Sequence, residues 1–278
     1  MAWNLQETFD TDSPILGMIH LPALPGSPGY DGTRGRIRTH VLEDAAALEA
    51  GGVDGIVVEN FGDAPFYSDS VPKHTVAAMS AIATTLTSAV DVPVGINVLR
   101  NDAEAALSIA AAAGASFIRV NVHVGAAATD QGVLEGQAHE TLRLRDRLEA
   151  DVGILADVHV KHATPVGDAS LERTALETAE RGRADGLIVS GSGTGQKTGL
   201  KDIERVTTAL EGLERDVPVF VGSGVTAETV GDCFAAGATG AIVGTALKTG
   251  GKTTNRVSSE RVEAVCEAAR AAAGETDG

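Results

Sequence analysis

The sequence is poor in aromatic residues and in cysteine. Only 3% of its 278 residues are aromatic, so the apolar 43% consists mainly of Val, Ile, Leu and Ala, the residues that fill parallel strands and barrel interiors. The two cysteines, Cys233 and Cys266, form no C-x-x-C pair and no metal-ligand spacing, and we expect both to be ordinary buried thiols. This composition favours an α/β protein.

Basic residues are scarce as well. The chain has 38 acidic residues against 22 basic ones, of which only 6 are lysine, and its formal net charge is -16. Such a charge disfavours nucleic-acid binding driven by phosphate attraction. An acidic surface with little lysine is typical of a high-salt cytoplasm, where screening weakens like-charge repulsion. Equal stability and activity in dilute buffer and in molar salt would contradict this hypothesis about the host.

Long apolar runs are missing too. No stretch of about 18 apolar residues occurs, and the N-terminus MAWNLQETFD lacks the basic and apolar segments of a leader. We therefore expect a soluble, cytoplasmic protein with no direct membrane insertion. The sequence does not indicate the oligomeric state.

Eight short apolar runs recur along the chain with helix-like segments between them, the pattern of repeated βα units. Most follow a glycine-containing helix end such as EAGGVD or AAAGAS. With no linker dividing them, they favour one closed (β/α)₈ TIM barrel over residues 1–278, with a lead-in at 1–12 and a flexible tail at 273–278. An open doubly wound sheet is the alternative, because strand count does not reveal strand order. The runs are 15–20, 53–60, 92–98, 116–122, 153–161, 185–190, 217–222 and 239–245.

Polar side chains collect at the carboxyl ends of these runs, where barrels of this type carry their active sites. Side-chain alternation puts Asp157, His159 and Lys161 on one strand face, as it does Arg119, Asn121 and His123. Buried ionisable groups are costly and cluster at functional sites; the alternative is a salt-bridged barrel layer. The predicted catalytic set is His20, Glu59, Asn97, Asn121, Asp157, His159 and Lys161.

These residue types fit acid-base chemistry. Glu59 or Asp157 would remove a proton, and His20 or His159 would act as the complementary acid. Asn97 and Asn121 would stabilise developing oxygen charge, and Lys161 would serve as an electrostatic partner or a Schiff-base amine. No cofactor is certain. A divalent metal held by Glu59, Asp157 and His159 stays possible.

Glycine-rich segments follow the last three predicted strands. Glycine lets backbone N–H groups approach an anion closely, and loops after the last two strands commonly hold phosphate in such barrels. The alternative is a set of tight turns without a ligand. No dinucleotide fingerprint and no Walker motif occurs, so NAD and Walker-type ATP binding are disfavoured. The predicted phosphate-binding residues are Ser190, Gly191, Ser192, Gly193, Gly222, Ser223, Gly224, Gly244 and Thr245.

Several long motifs resemble the BtpA/SgcQ family over nearly the whole chain. The resemblance implies a TIM barrel, in agreement with the strand count. One branch of that family is associated with photosystem I biogenesis and thylakoid membranes, and the other accompanies sugar-uptake and sugar-metabolism genes. The motifs are GMIHLPALPGSPGYDG (17–32), VDGIVVENFGDAPF (53–66), GINVLRND (95–102), FIRVNVHVGAAATDQG (117–132), ADVHVKHA (156–163), VSGSGTG (189–195) and VGSGVTAETV (221–230).

Three functions compete. The first is an enzyme on a small phosphorylated metabolite, a sugar phosphate or nucleoside phosphate, with isomerase, epimerase or lyase chemistry. The second is a non-catalytic assembly factor of a membrane complex, which would dock through apolar side chains of the loop at 21–36, namely Leu21, Leu24 and Tyr30. That loop can equally be a lid over the mouth. The third is a barrel that senses a phosphorylated metabolite without turning it over.

Overall fold

Each predicted run contains one strand of a closed barrel. The structure is a computed structural model that describes residues 3–160, 162–191 and 198–274. Eight parallel strands close the barrel in the order β1, β11, β10, β9, β7, β4, β3, β2, which confirms the TIM barrel and excludes an open sheet. The strands are β1 (Ile15–His20), β2 (Gly55–Glu59), β3 (Val94–Asn97), β4 (Phe117–Val120), β5 (Ala126–Thr129), β6 (Gly132–Glu135), β7 (Gly153–Asp157), β8 (Ala163–Pro165), β9 (Gly186–Val189), β10 (Val219–Val221) and β11 (Gly240–Val243).

Helices connect the barrel strands, and glycine ends several of them as the sequence predicts. In α4, the Asp102 side chain accepts a hydrogen bond from the N–H of Ala105 (2.8 Å) at the start, and Gly114 ends the helix at φ +71°. In the described residues no helix is long and apolar enough to cross a membrane. The helices are α1 (Leu5–Phe9), α2 (Arg34–Ala50), α3 (Lys73–Thr87), α4 (Ala103–Ala113), α5 (Ala138–Arg147), α6 (Leu171–Leu176), α7 (Leu200–Leu210), α8 (Val230–Ala235) and α9 (Ser259–Ala273).

Helix α1 closes the amino-terminal end of the barrel. Phe9 contacts the rings of Phe117 and Phe220 edge to face, with centroids 5.6 and 6.4 Å apart. Together with Leu16 and Leu155 these rings belong to an apolar cluster of inward-facing side chains. The apolar floor leaves the carboxyl end of the barrel as the place for polar chemistry.

Gly95 on β3 makes room for the Phe117 ring on the neighbouring strand. A Cβ at Gly95 would overlap that ring. We expect Gly95→Ala to lower the free energy of unfolding by about 1–3 kcal/mol, because an overpacked interior forces side chains out of their rotamers. Urea denaturation measures the change.

Gly35 provides the matched control for that substitution. It is exposed in helix α2, and no atom lies within 4 Å of the position that a Cβ would take. Gly35→Ala should raise stability slightly, by about 0.5–1 kcal/mol. Equal effects of the two alanines would contradict the assigned packing around Phe117.

Two sequence-based expectations about the mouth are wrong. The run at 153–161 does not continue as one strand: β7 ends at Asp157, and the chain then contributes β8 to a small antiparallel sheet of order β6, β5, β8. In the loop at 21–36, Leu21 and Leu24 are buried in the main core rather than exposed. Tyr30, the third predicted docking residue, packs partly buried against the same core, so two of the three expected apolar side chains are not exposed.

Both cysteines are buried free thiols, as predicted. Burial raises the pKa of the Cys266 thiol to about 12, with a smaller contribution from Asp54. Burial likewise raises the pKa of Cys233. Thiols with raised pKa values hold little reactive thiolate near neutral pH.

Candidate functional site

The inward-facing polar residues meet in one layer above the apolar floor. In the strand register, Glu59 pairs with Asn97, Asn97 pairs with Arg119, and His20 pairs with Glu59. All four side chains are buried. The structure therefore brings together residues from four adjacent strands at the carboxyl end of the barrel.

Asp157 and Arg119 form a buried ion pair in this layer. The Nε and Nη2 groups of Arg119 donate to the two carboxylate oxygens of Asp157 at 3.1 and 3.0 Å. Asn121 Nδ2 and Ser190 Oγ also donate to that carboxylate, at 2.9 and 2.7 Å. Two of the four groups that donate to this carboxylate belong to the Arg119 guanidinium, so both carboxylate oxygens are engaged within the layer. The role of Asp157 as general base stays a prediction, and these contacts favour a positioning role for the residue.

Arg119 carries a permanent positive charge in the mouth. Burial opposes the charge, but Asp157, and to a lesser degree Glu59, hold the pKa of the guanidinium above its ordinary value. Only two of its five N–H groups are used on Asp157. Arg119 shares the predicted strand face of Asn121, yet it was not among the residues to which the sequence pattern assigned a role.

Asn97 and Asn121 both donate hydrogen bonds within the layer. The Nδ2 group of Asn97 donates to the main-chain carbonyl of Arg119 (3.0 Å) and to Oδ1 of Asn121 (3.2 Å), which uses both of its N–H groups. The Nδ2 group of Asn121 donates one hydrogen bond to Asp157 (2.9 Å). The role of the two amides as oxyanion donors stays a prediction. Asn97 Oδ1 is buried without a hydrogen-bond partner among the described residues.

His20 and Glu59 lie next to one another at the ends of β1 and β2. The His20 ring contacts Phe61 edge to face, with centroids 5.1 Å apart. A Cβ at Gly244 would lie 3.0 Å from Cε1 of His20, so the glycine leaves this face of the ring uncrowded. Glu59 is only 3% exposed. The acid-base roles of these two side chains stay predictions.

The glycine-rich ends of β10 and β11 line a common cavity of about 230 Å³. Two arginines also line it: Arg119 from the barrel interior and Arg261 from the first turn of α9. Main-chain N–H groups next to guanidinium groups are typical of phosphate sites. No motif in the sequence points to Arg261, which was therefore not among the predicted residues. The predicted residues in the cavity wall are Gly222, Ser223, Gly224, Gly244 and Thr245, together with His20.

The remaining predicted phosphate-binding residues either do not line this cavity or lie outside the described part of the chain. Ser190 does not line this cavity. Its hydroxyl donates a hydrogen bond to Asp157. Gly191 also does not line the cavity. Ser192 and Gly193 lie outside the described residues, as does Lys161. Ser190 therefore helps to fix the ion pair, and its role in phosphate binding stays a prediction.

His159 and His123 have hydrogen-bond partners outside the polar layer. Because β7 ends at Asp157, strand alternation does not apply to His159, whose Nε2 lies 3.3 Å from Thr174 Oγ1 on α6. His123 Nε2 lies 2.8 Å from the carbonyl oxygen of Gly182. Burial lowers the pKa of both imidazoles. His159 nevertheless lines a small cavity together with Asp157 and Asn121, and its acid role stays a prediction.

The acidic residues of the mouth are not grouped as a metal site. Among residues 3–160, 162–191 and 198–274, no group of three or more His, Cys, Asp and Glu side chains is placed to hold an ion. Of the three predicted ligands, Asp157 is engaged by Arg119, and His159 Nε2 lies 3.3 Å from Thr174 Oγ1. Glu59 is left facing a different part of the mouth.

A buried charge cluster anchors the loop that carries Thr245. Asp44 on α2 accepts hydrogen bonds from Lys248 Nζ (3.3 Å), Arg256 Nε (2.6 Å) and the N–H of Val257 (3.1 Å). Lys248 directly follows the 3₁₀ turn Thr245–Leu247 and is fully buried. The cluster therefore fixes one wall of the glycine-lined cavity to a barrel helix.

Comparisons with known proteins cover almost the whole chain. The BtpA family model matches residues 11–271. The chain is 48% identical over 265 residues to the photosystem I biogenesis protein BtpA of Synechocystis sp., covering 95% of this chain and 91% of that protein. The similarity in sequence therefore extends over the entire barrel.

Two solved barrels resemble the structure over nearly their full length. Thiamine phosphate pyrophosphorylase from Pyrococcus furiosus matches with a TM-score of 0.59 at 14% identity, covering 97% of this chain and 99% of that one. N-(5'-phosphoribosyl)anthranilate isomerase from Pyrococcus furiosus matches with a TM-score of 0.58 at 14% identity, covering 93% and 99%. Because the identity is low, both likenesses show the fold alone, a TIM barrel.

Proposed function

The chain belongs to the BtpA family, and from that premise we propose that it is an enzyme acting on a small phosphorylated metabolite by acid-base catalysis. The observation that carries the proposal is the cavity in which two glycine-rich strand ends, two arginines and His20 converge. The names of the two solved barrels refer to phosphorylated compounds, and the polar mouth of this chain fits the same class of ligand.

In the proposed reaction the phosphate occupies the cavity of β10 and β11 and sets the position of the rest of the substrate. Glu59 then accepts a proton from a substrate carbon, and His20 gives a proton to a neighbouring oxygen. Arg119 stabilises negative charge that develops on that oxygen. Isomerisation, epimerisation and lysis all use such steps. Asn97, Asn121 and Asp157 keep the guanidinium of Arg119 in place.

The name of the Synechocystis relative describes an assembly role for that protein. The residues predicted to support such a role by exposing apolar side chains are Leu21, Leu24 and Tyr30; the two leucines are buried, and Tyr30 packs partly buried against the core. A metabolite-sensing barrel shares the phosphate cavity but does not need Glu59. Turnover therefore separates the enzyme from the sensor.

Calorimetric titration with inorganic phosphate tests the cavity. We expect Arg261→Gln to raise the Kd for phosphate by about 10-fold, the equivalent of about 1.4 kcal/mol, because one guanidinium is lost from the wall. Arg143→Gln is the matched control: both arginines are exposed, and each donates to a main-chain carbonyl, Arg143 to His139 and Arg261 to Ala246. Equal affinity of Arg261→Gln and the wild type would contradict the assigned phosphate site.

Solvent deuterium incorporation into phosphorylated compounds tests the chemistry. A base that removes a carbon-bound proton exchanges it with D₂O, and mass spectrometry detects the exchange. We expect Glu59→Gln to slow this exchange by about 10²–10⁴-fold, whereas His159→Asn should leave it nearly unchanged. If the Glu59→Gln variant exchanged the substrate proton at the wild-type rate, the assignment of Glu59 as the catalytic base would be wrong.

A further inference from the structure

A second cavity of about 560 Å³ opens beside the phosphate cavity. Glu59, Asn121 and Arg100 contribute to its wall, and Asp130 in the turn between β5 and β6 closes one side. The volume lies in the range of about 300–1,000 Å³ that is usual for small-molecule sites. The proposed mechanism uses only the edge formed by Glu59, so most of this space has no assigned occupant.

Aromatic side chains line this cavity although the chain has very few of them. Of only six phenylalanines, Phe9, Phe117 and Phe220 are buried in the barrel floor. Phe61 and Phe66 both line the second cavity and are partly exposed there. Exposed aromatic faces at a concave site favour stacking against a planar ring. Leu99 and Ala64 extend the same apolar wall.

The polar part of the wall offers both acceptors and a donor. The carboxylate of Asp130 can accept hydrogen bonds from N–H groups, and the guanidinium of Arg100 can donate to a carbonyl or ring nitrogen; His162 also lines this wall. Asn60 fixes the segment before Arg100, because its Oδ1 accepts the N–H of Leu99 at 2.7 Å. Two carboxylates disfavour a second phosphate in this space. A planar heterocycle that bears N–H and C=O groups fits both the aromatic and the polar walls.

The two cavities share a wall. His20 lines the phosphate cavity and its ring contacts Phe61, which lines the second cavity. Arg119 lines the first and Asn121 the second, and both donate to the same carboxylate of Asp157. A ligand with its phosphate in one cavity and a ring in the other would pass its connecting atoms over His20 and Glu59.

We propose that the substrate is a phosphate ester joined through a short linker to a planar heteroaromatic ring, the class that nucleoside monophosphates represent, rather than an open-chain sugar phosphate. The aromatic cavity beside the phosphate cavity is the observation that carries this inference, which rests on the proposed function. Phe61 and Phe66 hold the ring, Asp130 and Arg100 bind its polar edge, and Glu59 stays free for the proposed proton transfer.

Calorimetric titrations with three kinds of probe test this inference: inorganic phosphate, ribose 5-phosphate, and the 5'-monophosphates of adenosine, guanosine, cytidine and uridine. We expect at least one nucleotide to bind about 10-fold or more tightly than ribose 5-phosphate, since stacking of a base is worth about 1–3 kcal/mol. Phe66→Ala should remove most of that difference and leave the Kd for inorganic phosphate unchanged, while Phe66→Tyr should restore it.

Tyr67→Ala is the matched control, because Tyr67 is the next residue along and its side chain is 52% exposed. It should keep the wild-type preference for the nucleotide. If phosphate binds but no base adds affinity, or if Phe66→Ala keeps the full preference, the ring site is overturned and the phosphate site stands. If neither phosphate nor any ester binds, the proposed function itself fails and the ring inference fails with it.

Discussion

Asp157→Ala is expected to lower the free energy of unfolding by about 3–5 kcal/mol, the usual cost of leaving one charge of a buried pair without its partner. The substitution removes the acceptor of two Arg119 hydrogen bonds and of those from Asn121 and Ser190. Arg119 is only 3% exposed and cannot turn to water without disturbing the layer. Urea denaturation followed by circular dichroism measures the loss.

A double variant separates the charge from the packing. Arg119→Met with Asp157→Leu removes both charges and keeps similar volumes, and such replacements are often neutral or stabilising. We expect it to be more stable than Asp157→Ala, although it should lose phosphate affinity. Glu177→Ala breaks an exposed ion pair with Arg173 and should cost less than about 1 kcal/mol. A similarly small loss for Asp157→Ala would contradict the buried pair.

Asp44→Ala is expected to lower the free energy of unfolding by a similar amount, about 3–5 kcal/mol, because it leaves the fully buried charge of Lys248 without its acidic partner. It also removes the acceptor of hydrogen bonds from Arg256 and from the N–H of Val257. Since Lys248 follows the turn that carries Thr245, phosphate binding should weaken together with stability. Chemical denaturation and phosphate titration on the same samples measure both. Loss of less than about 1 kcal/mol would contradict the anchoring role.

The dependence of the free energy of unfolding on pH in the acidic range provides a second test of the role of Asp44. Burial works against its charge, but the hydrogen bond with His40 and the charges of Lys248 and Arg256 hold its pKa far below the ordinary 3.8. A carboxyl group whose pKa is lower in the folded state than in the unfolded state stabilises the protein at pH values above its unfolded-state pKa. That stabilisation is lost as the pH falls toward the folded-state pKa. Below pH 3.8 the wild type should therefore lose stability more steeply than Asp44→Asn.

The sequence was sufficient for the barrel because its apolar runs and glycine stops recur at the spacing of βα units. Alternation correctly placed Arg119 on β4 and Asn121 directly after it on the inner face, as the hydrogen bonds to Asp157 show. It did not show that β7 ends at Asp157, two residues before His159. No periodic pattern in the sequence indicates that the chain leaves the barrel after β7 and joins the small antiparallel sheet.

The hydrogen-bond partners of the side chains in the mouth could not be predicted from the sequence either. Alternation predicts that charged and amide groups share a face, but only the distances show that Asp157 is already engaged by Arg119 and that Asn97 orients Asn121. Arg261 joins the cavity from a helix at the far end of the chain. Its position depends on how that helix packs against the closed barrel, and no local motif encodes that packing.

A crystal structure with inorganic phosphate is the sharpest test of the phosphate site at the ends of β10 and β11. We expect a phosphate between the residues at 222–224 and the turn at Gly244 and Thr245. Its oxygens should lie within about 2.7–3.2 Å of the Arg261 guanidinium and of main-chain N–H groups. A phosphate bound instead on Arg100 in the second cavity, or a glycine-lined cavity that stays without phosphate at saturating concentration, would contradict this site.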